Sequence, residues 1–158
     1  MPRIEESIDI AAPLADVFRY CHDIARRPRW DVQVSAVELL SPAPIRQGTL
    51  FRVDANYGGG AVFSWDAEYI GFQFPLTSRV RVIDTAPSSP FAAGSEVNWQ
   101  FSSVGAQTRF TWTWDYKARG FLSRITDILG GRAATRRGIQ RSQAKLKGLL
   151  EKGERATR

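Results

Sequence analysis

Between Thr108 and Tyr116 the side chains alternate without a slip: Phe110, Trp112, Trp114 and Tyr116 occupy the even positions, and Arg109, Thr111, Thr113 and Asp115 the odd ones. A period of two over this length defines a strand with one apolar and one wetted face, and no helix satisfies it. The pattern recurs upstream. Val97, Trp99 and Phe101 alternate with Asn98, Gln100 and Ser102, and Gly105 supplies the turn of a hairpin between the two runs. Phe51, Val53, Ala55 and Tyr57 oppose Leu50, Arg52, Asp54 and Asn56, and a turn at Gly58, Gly59 and Gly60 leads into Phe63, Trp65, Ala67 and Tyr69. Ser78 to Thr85 carries Val80 and Val82 on one face. With Ile4 to Ile10 and Ser35 to Leu40, about seven strands are expected, and their short connections make neighbours antiparallel.

Helical periodicity occurs in two places. Pro13 heads a stripe of Leu14, Val17, Phe18 and Cys21 that stops before Asp23, the first of a pair of short helices after the first strand. Phe121, Ile125, Ile128, Ile139, Leu146, Leu149 and Leu150 recur at helical spacing and predict one long C-terminal helix, with a kink or break at Gly130 and Gly131. The expected fold class is α+β, a single domain over residues 1–158, long enough to bury roughly 70% of its unfolded surface without disulfides or metal.

Charge divides the chain in two. Residues 1–116 hold 10 basic and 13 acidic side chains, residues 117–158 hold 12 basic and 3 acidic, and 14 of the 18 aromatic residues lie between Phe51 and Tyr116. The aromatics belong to the sheet and the excess positive charge to the C-terminal helix. One cysteine and one histidine exclude an internal disulfide, a zinc site of several His or Cys ligands, and any catalytic triad built on a histidine other than His22. No metal or cofactor is expected. Cys21 and His22 are adjacent, so on a helix they point about 100° apart and form no thiolate–imidazole couple. Cys21 falls on the apolar stripe as packing, and His22 stands at the helix C-terminus, where a cation is favoured. The longest uncharged run, Val97 to Thr108, is too short to span a membrane, and the N-terminus lacks the apolar core of a signal peptide, so a cytoplasmic location is expected.

The run Ile8, Asp9, Ile10, Ala11, Ala12, Pro13, followed by Val17, Phe18, Asp23, Pro28 and Trp30, resembles the start of the START-like (SRPBCC, Bet v 1-like) superfamily, in particular its polyketide cyclase/dehydrase-like branch. The order of the later hairpins and the terminal helix extends the similarity over nearly the whole chain. The resemblance implies a helix-grip fold, in which a curved antiparallel sheet wraps around the long C-terminal helix and a cavity between them takes a small apolar ligand. The family has no universal catalytic motif, so the resemblance carries no catalytic residue over.

Parity sets Phe51, Val53, Trp65, Val80, Val82, Trp99, Phe101, Trp112 and Trp114 on one side of the sheet, and the resemblance makes that side a pocket wall, with Ile125 and Leu129 facing it from the helix. The same aromatics also suit a plain core, and each buried indole N–H wants a polar partner in either case. Glu6 and Asp84 share parity with apolar neighbours. Such a carboxylate is costly unless paired, so each is either a candidate acid/base or lies at a strand end or bulge, or against a cation such as Arg52. Arg136, Arg137, Arg141 and Lys145 crowd one helix with like charge, which an anionic partner would relieve. The readings that follow are a carrier or sensor of a lipid, polyketide or isoprenoid-like molecule, a polyketide aromatase/cyclase or dehydratase, and a module docking the basic helix on a membrane or RNA. A solvated basic face accounts for those charges equally. The strands carry no exposed aromatic ladder among basic residues that would read nucleic acid. A monomer or a homodimer is expected.

Overall fold

The alternating runs pair into one antiparallel sheet. The computed structural model describes residues 1–57 and 61–157. Its strands are β1 (Arg3–Ile10), β2 (Val34–Leu39), β3 (Leu50–Tyr57), β4 (Ala61–Gln73), β5 (Thr77–Thr85), β6 (Glu96–Val104) and β7 (Gln107–Asp115), ordered β1-β7-β6-β5-β4-β3-β2. The Gly58 to Gly60 turn lies outside the described residues. β1 and β2 form opposite edges, so the chain crosses the sheet between them through α1 (Leu14–Cys21), a tight turn (Ile24–Arg26) and α2 (Arg27–Trp30).

Register converts parity into cross-strand aromatic pairs. Trp99 faces Trp112, Phe101 faces Phe110, and Val53 faces Trp65, all on the inner side of a curled half-barrel. Two irregularities between β4 and β5 help curl the sheet. One has a local consequence. Ala67 pairs with Val82 but Asp66 pairs with Asp84, so Ile83 is an extra residue and Asp84 is turned to the outer face. There it is exposed and accepts a hydrogen bond from the Thr85 amide. Asp84 is therefore no buried acid, because the bulge reverses the parity that suggested one.

The C-terminal segment comprises α3 (Gly120–Thr126), a wide π-type turn (Asp127–Gly131) and α4 (Arg132–Glu151). Helical dihedrals are interrupted at Gly130, so the single long helix is broken where the glycine pair lies. α4 crosses β1 on the inner side and buries Ile139, Leu146 and Leu150 together with Gly138, Ser142 and Gln143. The break takes the preceding residues out of α4's rotational register. Ile125 and Leu129, expected to face the sheet, are turned to solvent instead. No helix among the described residues is long and apolar enough to cross a membrane.

Candidate functional site

The deep part of the concave face is filled. Trp30 is fully buried there, with ring centroids 5.7 Å from Trp99, 6.1 Å from Trp112 and 6.4 Å from Phe110. Arg27, one turn earlier, lays its guanidinium 4.6 Å from the Trp99 ring centroid and bonds the buried Asp31 carboxylate at 2.8 Å. Asp31 also accepts from the Ser142 hydroxyl at 3.2 Å and the Gln33 amide at 3.1 Å, so the buried pair is satisfied on several sides and ties the crossover to α4. Between these side chains remains a hollow of about 20 Å³, bordered by Arg27, Phe51, Trp65, Tyr69, Val80 and Trp99. That is room for roughly one water-sized group. The indole N–H groups of Trp30, Trp65 and Trp99 are buried with no hydrogen-bond partner among the described residues.

His22 belongs to this packed end. Its Nδ1–H donates to the Phe18 carbonyl at 2.7 Å and its Nε2 accepts from the Ser78 hydroxyl at 2.7 Å, the tautomer that a carbonyl acceptor demands. Phe18, Phe72 and Trp99 surround the ring. Burial pushes its pKa down to about 4, so it caps α1 as a neutral group and not as the expected cation. Cys21 is buried, and desolvation raises its thiol pKa well above the ordinary range.

The open space lies at the other end of the sheet, where a cavity of about 780 Å³ sits between the ends of β3 and β7, the loop before β6, α3 and the first turns of α4. Its apolar wall includes Phe91, Trp114 and Tyr116. Phe91 is held there because its loop is stitched to the chain entering α3: the Ala92 amide donates to the Lys117 carbonyl at 2.8 Å and the Arg119 amide to the Pro90 carbonyl at 3.1 Å. The ring stands 5.1 Å from Trp114 and 6.0 Å from Trp65, a partition between cavity and inner hollow. The opposite wall includes the small residues Gly131, Ala134 and Gly138. Gly138 lets Gln33 lie close against α4, since a β-carbon there would sit 2.7 Å from the Gln33 side-chain carboxamide carbon and the glutamine would have to shift.

Polar groups gather on the helical side. The Tyr116 hydroxyl donates to Asp127 at 2.7 Å and accepts from Arg132 Nε at 3.1 Å. Burial, reinforced by the Asp127 carboxylate, pushes the tyrosine pKa up to about 12, so it remains a proton donor at neutral pH. Arg137 and Arg141 also line the cavity, and among the described residues neither forms an ion pair or hydrogen bond through its guanidinium.

The structure thus divides the residues anticipated from parity. Trp114 borders the open cavity; Phe51, Trp65, Val80 and Trp99 border the small hollow; Val53, Val82, Phe101 and Trp112 border neither and pack in the core. Ile125 and Leu129 border neither. Glu6 does face inward, but Arg136 bonds one of its carboxylate oxygens and Gln140 approaches the other at 3.3 Å, which removes the unpaired acid and occupies one of the helix cations. Lys145 is exposed and, among the described residues, unpaired. Tyr116 continues the β7 alternation by one step, so its place on the wall was within reach of periodicity. Phe91 lies in a Pro- and Ser-rich loop where no periodicity orients it, and Asp127 is placed by the irregular turn.

The chain belongs to the family described as "Polyketide cyclase / dehydrase and lipid transport", whose model matches residues 1–151. Two Mycobacterium tuberculosis relatives, the uncharacterized proteins MT0096 and Rv0088, are each 27% identical over 157 residues; the match covers 96% of this chain but 65% of theirs, so the chain spans about two thirds of their length. Among solved structures, the fold is similar to the Zhui aromatase/cyclase from Streptomyces sp. R1128, with a TM-score of 0.79, 16% identity, and 96% and 94% of the two chains covered. It is also similar to a START superfamily protein from Mycobacterium smegmatis, with a TM-score of 0.72, 14% identity, and 95% and 97% covered.

Proposed function

We propose that this protein binds an amphipathic small molecule of lipid, polyketide or isoprenoid type in the cavity beside Phe91 and Trp114, and acts as its carrier or sensor. The observation that carries this reading is a 780 Å³ cavity with an aromatic wall on one side and, on the other, two arginines, Arg137 and Arg141, that are unpaired among the described residues. Cavities of this size hold drug-sized ligands, the apolar wall supplying affinity and the few polar groups orientation. An apolar body would lie on Phe91 and Trp114, and a carboxylate or other anionic end would face the guanidiniums. Native mass spectrometry of freshly purified protein, set against its denatured mass and an organic extract, tests the reading directly. A non-covalent adduct is expected in the wild type and a loss of it in Ala134→Trp, which fills the cavity from an α4 position. Failure to find an adduct, combined with failure to bind cis-parinaric acid, would reject it.

A second reading, polyketide cyclisation or dehydration, is favoured by the Tyr116–Asp127–Arg132 cluster, which places a phenol hydroxyl hydrogen-bonded to a carboxylate and a guanidinium on the cavity wall. Its mark would be a Tyr116→Phe variant that still binds a polyketide substrate but no longer turns it over. Equal loss of binding and turnover would leave Tyr116 a positioning residue.

A further inference from the structure

The segment that roofs the cavity is amphipathic in the wrong sense for a soluble helix. Ser123, Thr126 and Asp127 point into the cavity, whereas Phe121, Leu122, Ile128 and Leu129 are 76%, 78%, 76% and 81% exposed and Ile125 is 38% exposed. A surface helix ordinarily turns its apolar stripe to the core and its polar side to water. Here five large apolar side chains within nine residues face outward, and none belongs to the hydrophobic core or packs against it. Scattered exposed leucines mean little, but a contiguous patch of this kind marks a surface that is covered in use.

The charge around the patch identifies what covers it. Residues 117–145 contain eight basic side chains and one acidic one, Asp127, which is already engaged by Tyr116 and Arg132. Arg124 lies within the patch segment, Lys117 just before it, and Arg137 and Arg141 across the cavity from it; among the described residues none of the four forms an ion pair. A second copy of the chain would bring the same excess of positive charge against this one, which disfavours self-association. RNA would satisfy the cations and leave the apolar side chains in water. A bilayer with anionic headgroups satisfies both sets, in the manner of interfacial helices that bury an apolar face at the headgroup boundary and hold phosphates with flanking Lys and Arg.

We propose that α3 and the turn after it dock this protein on an anionic membrane surface, with Phe121, Leu122, Ile128 and Leu129 inserted at the level of the headgroups and Lys117 and Arg124 against the phosphates. Because Ser123, Thr126 and Asp127 on the other side of the same segment line the cavity, docking sets that wall of the cavity directly behind the bilayer-facing side chains. The docking does not depend on whether the cavity holds a ligand.

Vesicle flotation tests it with the intact protein and two compositions, pure phosphatidylcholine and phosphatidylcholine with about 30% phosphatidylserine, at low and at high salt. Binding to the anionic vesicles is expected, weakened at least tenfold by high salt and at least tenfold by the double variant Leu122→Ser, Leu129→Ser, whose thermal unfolding should match the wild type because both positions are exposed. An environment-sensitive dye on Leu129→Cys should shift to the blue on the same vesicles, Cys21 being buried and unlabelled. Absence of wild-type binding to the anionic vesicles, equal binding by the double-serine variant, an unshifted dye, or a dimer in solution that the serine variant dissolves would each overturn the proposal.

Discussion

At one end of the concave face, Trp30 descends from the crossover and closes the space between Trp99, Phe110 and Trp112, and the chain after α4 is clamped over the outside by Glu154, which accepts from the Tyr20 hydroxyl at 2.6 Å and from Arg29. At the other end Phe63, Trp65 and Trp114 on the strands and Phe91 on the loop before β6 are the same kinds of residue, but no side chain among the described residues descends between them and α4. Aromatic content is alike at the two ends. The difference is the helix above: the packed end meets Leu146 and Leu150, the open end meets Gly131, Ala134 and Gly138. A wall of tryptophans encloses a cavity only where the facing element withholds volume, and α4 does so along its first two turns.

That contrast is open to direct test. Trp30→Ala should be the most damaging single change in the molecule, costing about 4 kcal/mol of unfolding free energy by urea titration, since it removes the fully buried centre of the packed end and leaves a void. Filling the open end should do the reverse. Ala134→Trp should leave the urea midpoint at or above the wild-type value, and a large loss there would mean that the open end is as tightly packed as the other.

Next in size is the ion pair beneath Trp30. Asp31→Ala strands the Arg27 guanidinium among three tryptophan rings and should cost about 3 kcal/mol. Replacing Arg27 and Asp31 together by Met and Leu should recover most of that loss, because the penalty belongs to the unpaired charge.

The packed end also predicts a pH dependence. The unfolded chain protonates His22 near its ordinary value of about 6.5, the folded chain only near about 4, so the unfolded state binds the extra proton first as pH falls. Stability from the neutral imidazole is therefore complete above about 6.5 and is lost toward about 4, at up to ~1.4 kcal/mol per pH unit. Glu154, held down to about 2 by Arg29 and Tyr20, loses its contribution in a lower window. Urea midpoints measured across the interval between the two histidine values should fall in the wild type and flatten in His22→Gln. The smallest effect is expected at the open end's outer surface, where Phe121→Ser should change the unfolding free energy by less than about 0.5 kcal/mol.

Strand parity was legible residue by residue. Phe51, Val53, Trp65, Val80, Val82, Trp99, Phe101, Trp112 and Trp114 are all buried on one face, because a period of two needs no knowledge of partners. It failed at Asp84, where one bulged residue inverted it, and such a residue leaves no mark in alternation counted along a single strand. Helical spacing across Phe121 to Leu150 likewise located the apolar positions and the weak point at the glycine pair. It did not tell which way the first segment would face, since rotation across an interrupted turn depends on what the segment packs against.

Local periodicity thus determined by itself the strands, the first short helix, the terminal helix and the sidedness of the sheet, because each follows from a repeat the backbone imposes on neighbouring residues. Whether an inward aromatic fills space or borders it was decided only when the crossover brought Trp30 to one end and α4 brought its glycines and alanines to the other. Those contacts join separate elements, Trp30 to Trp99, Phe110 and Trp112 on the later strands and α4 to Phe91 and Trp114, and no pattern in either segment encodes the volume that the other supplies.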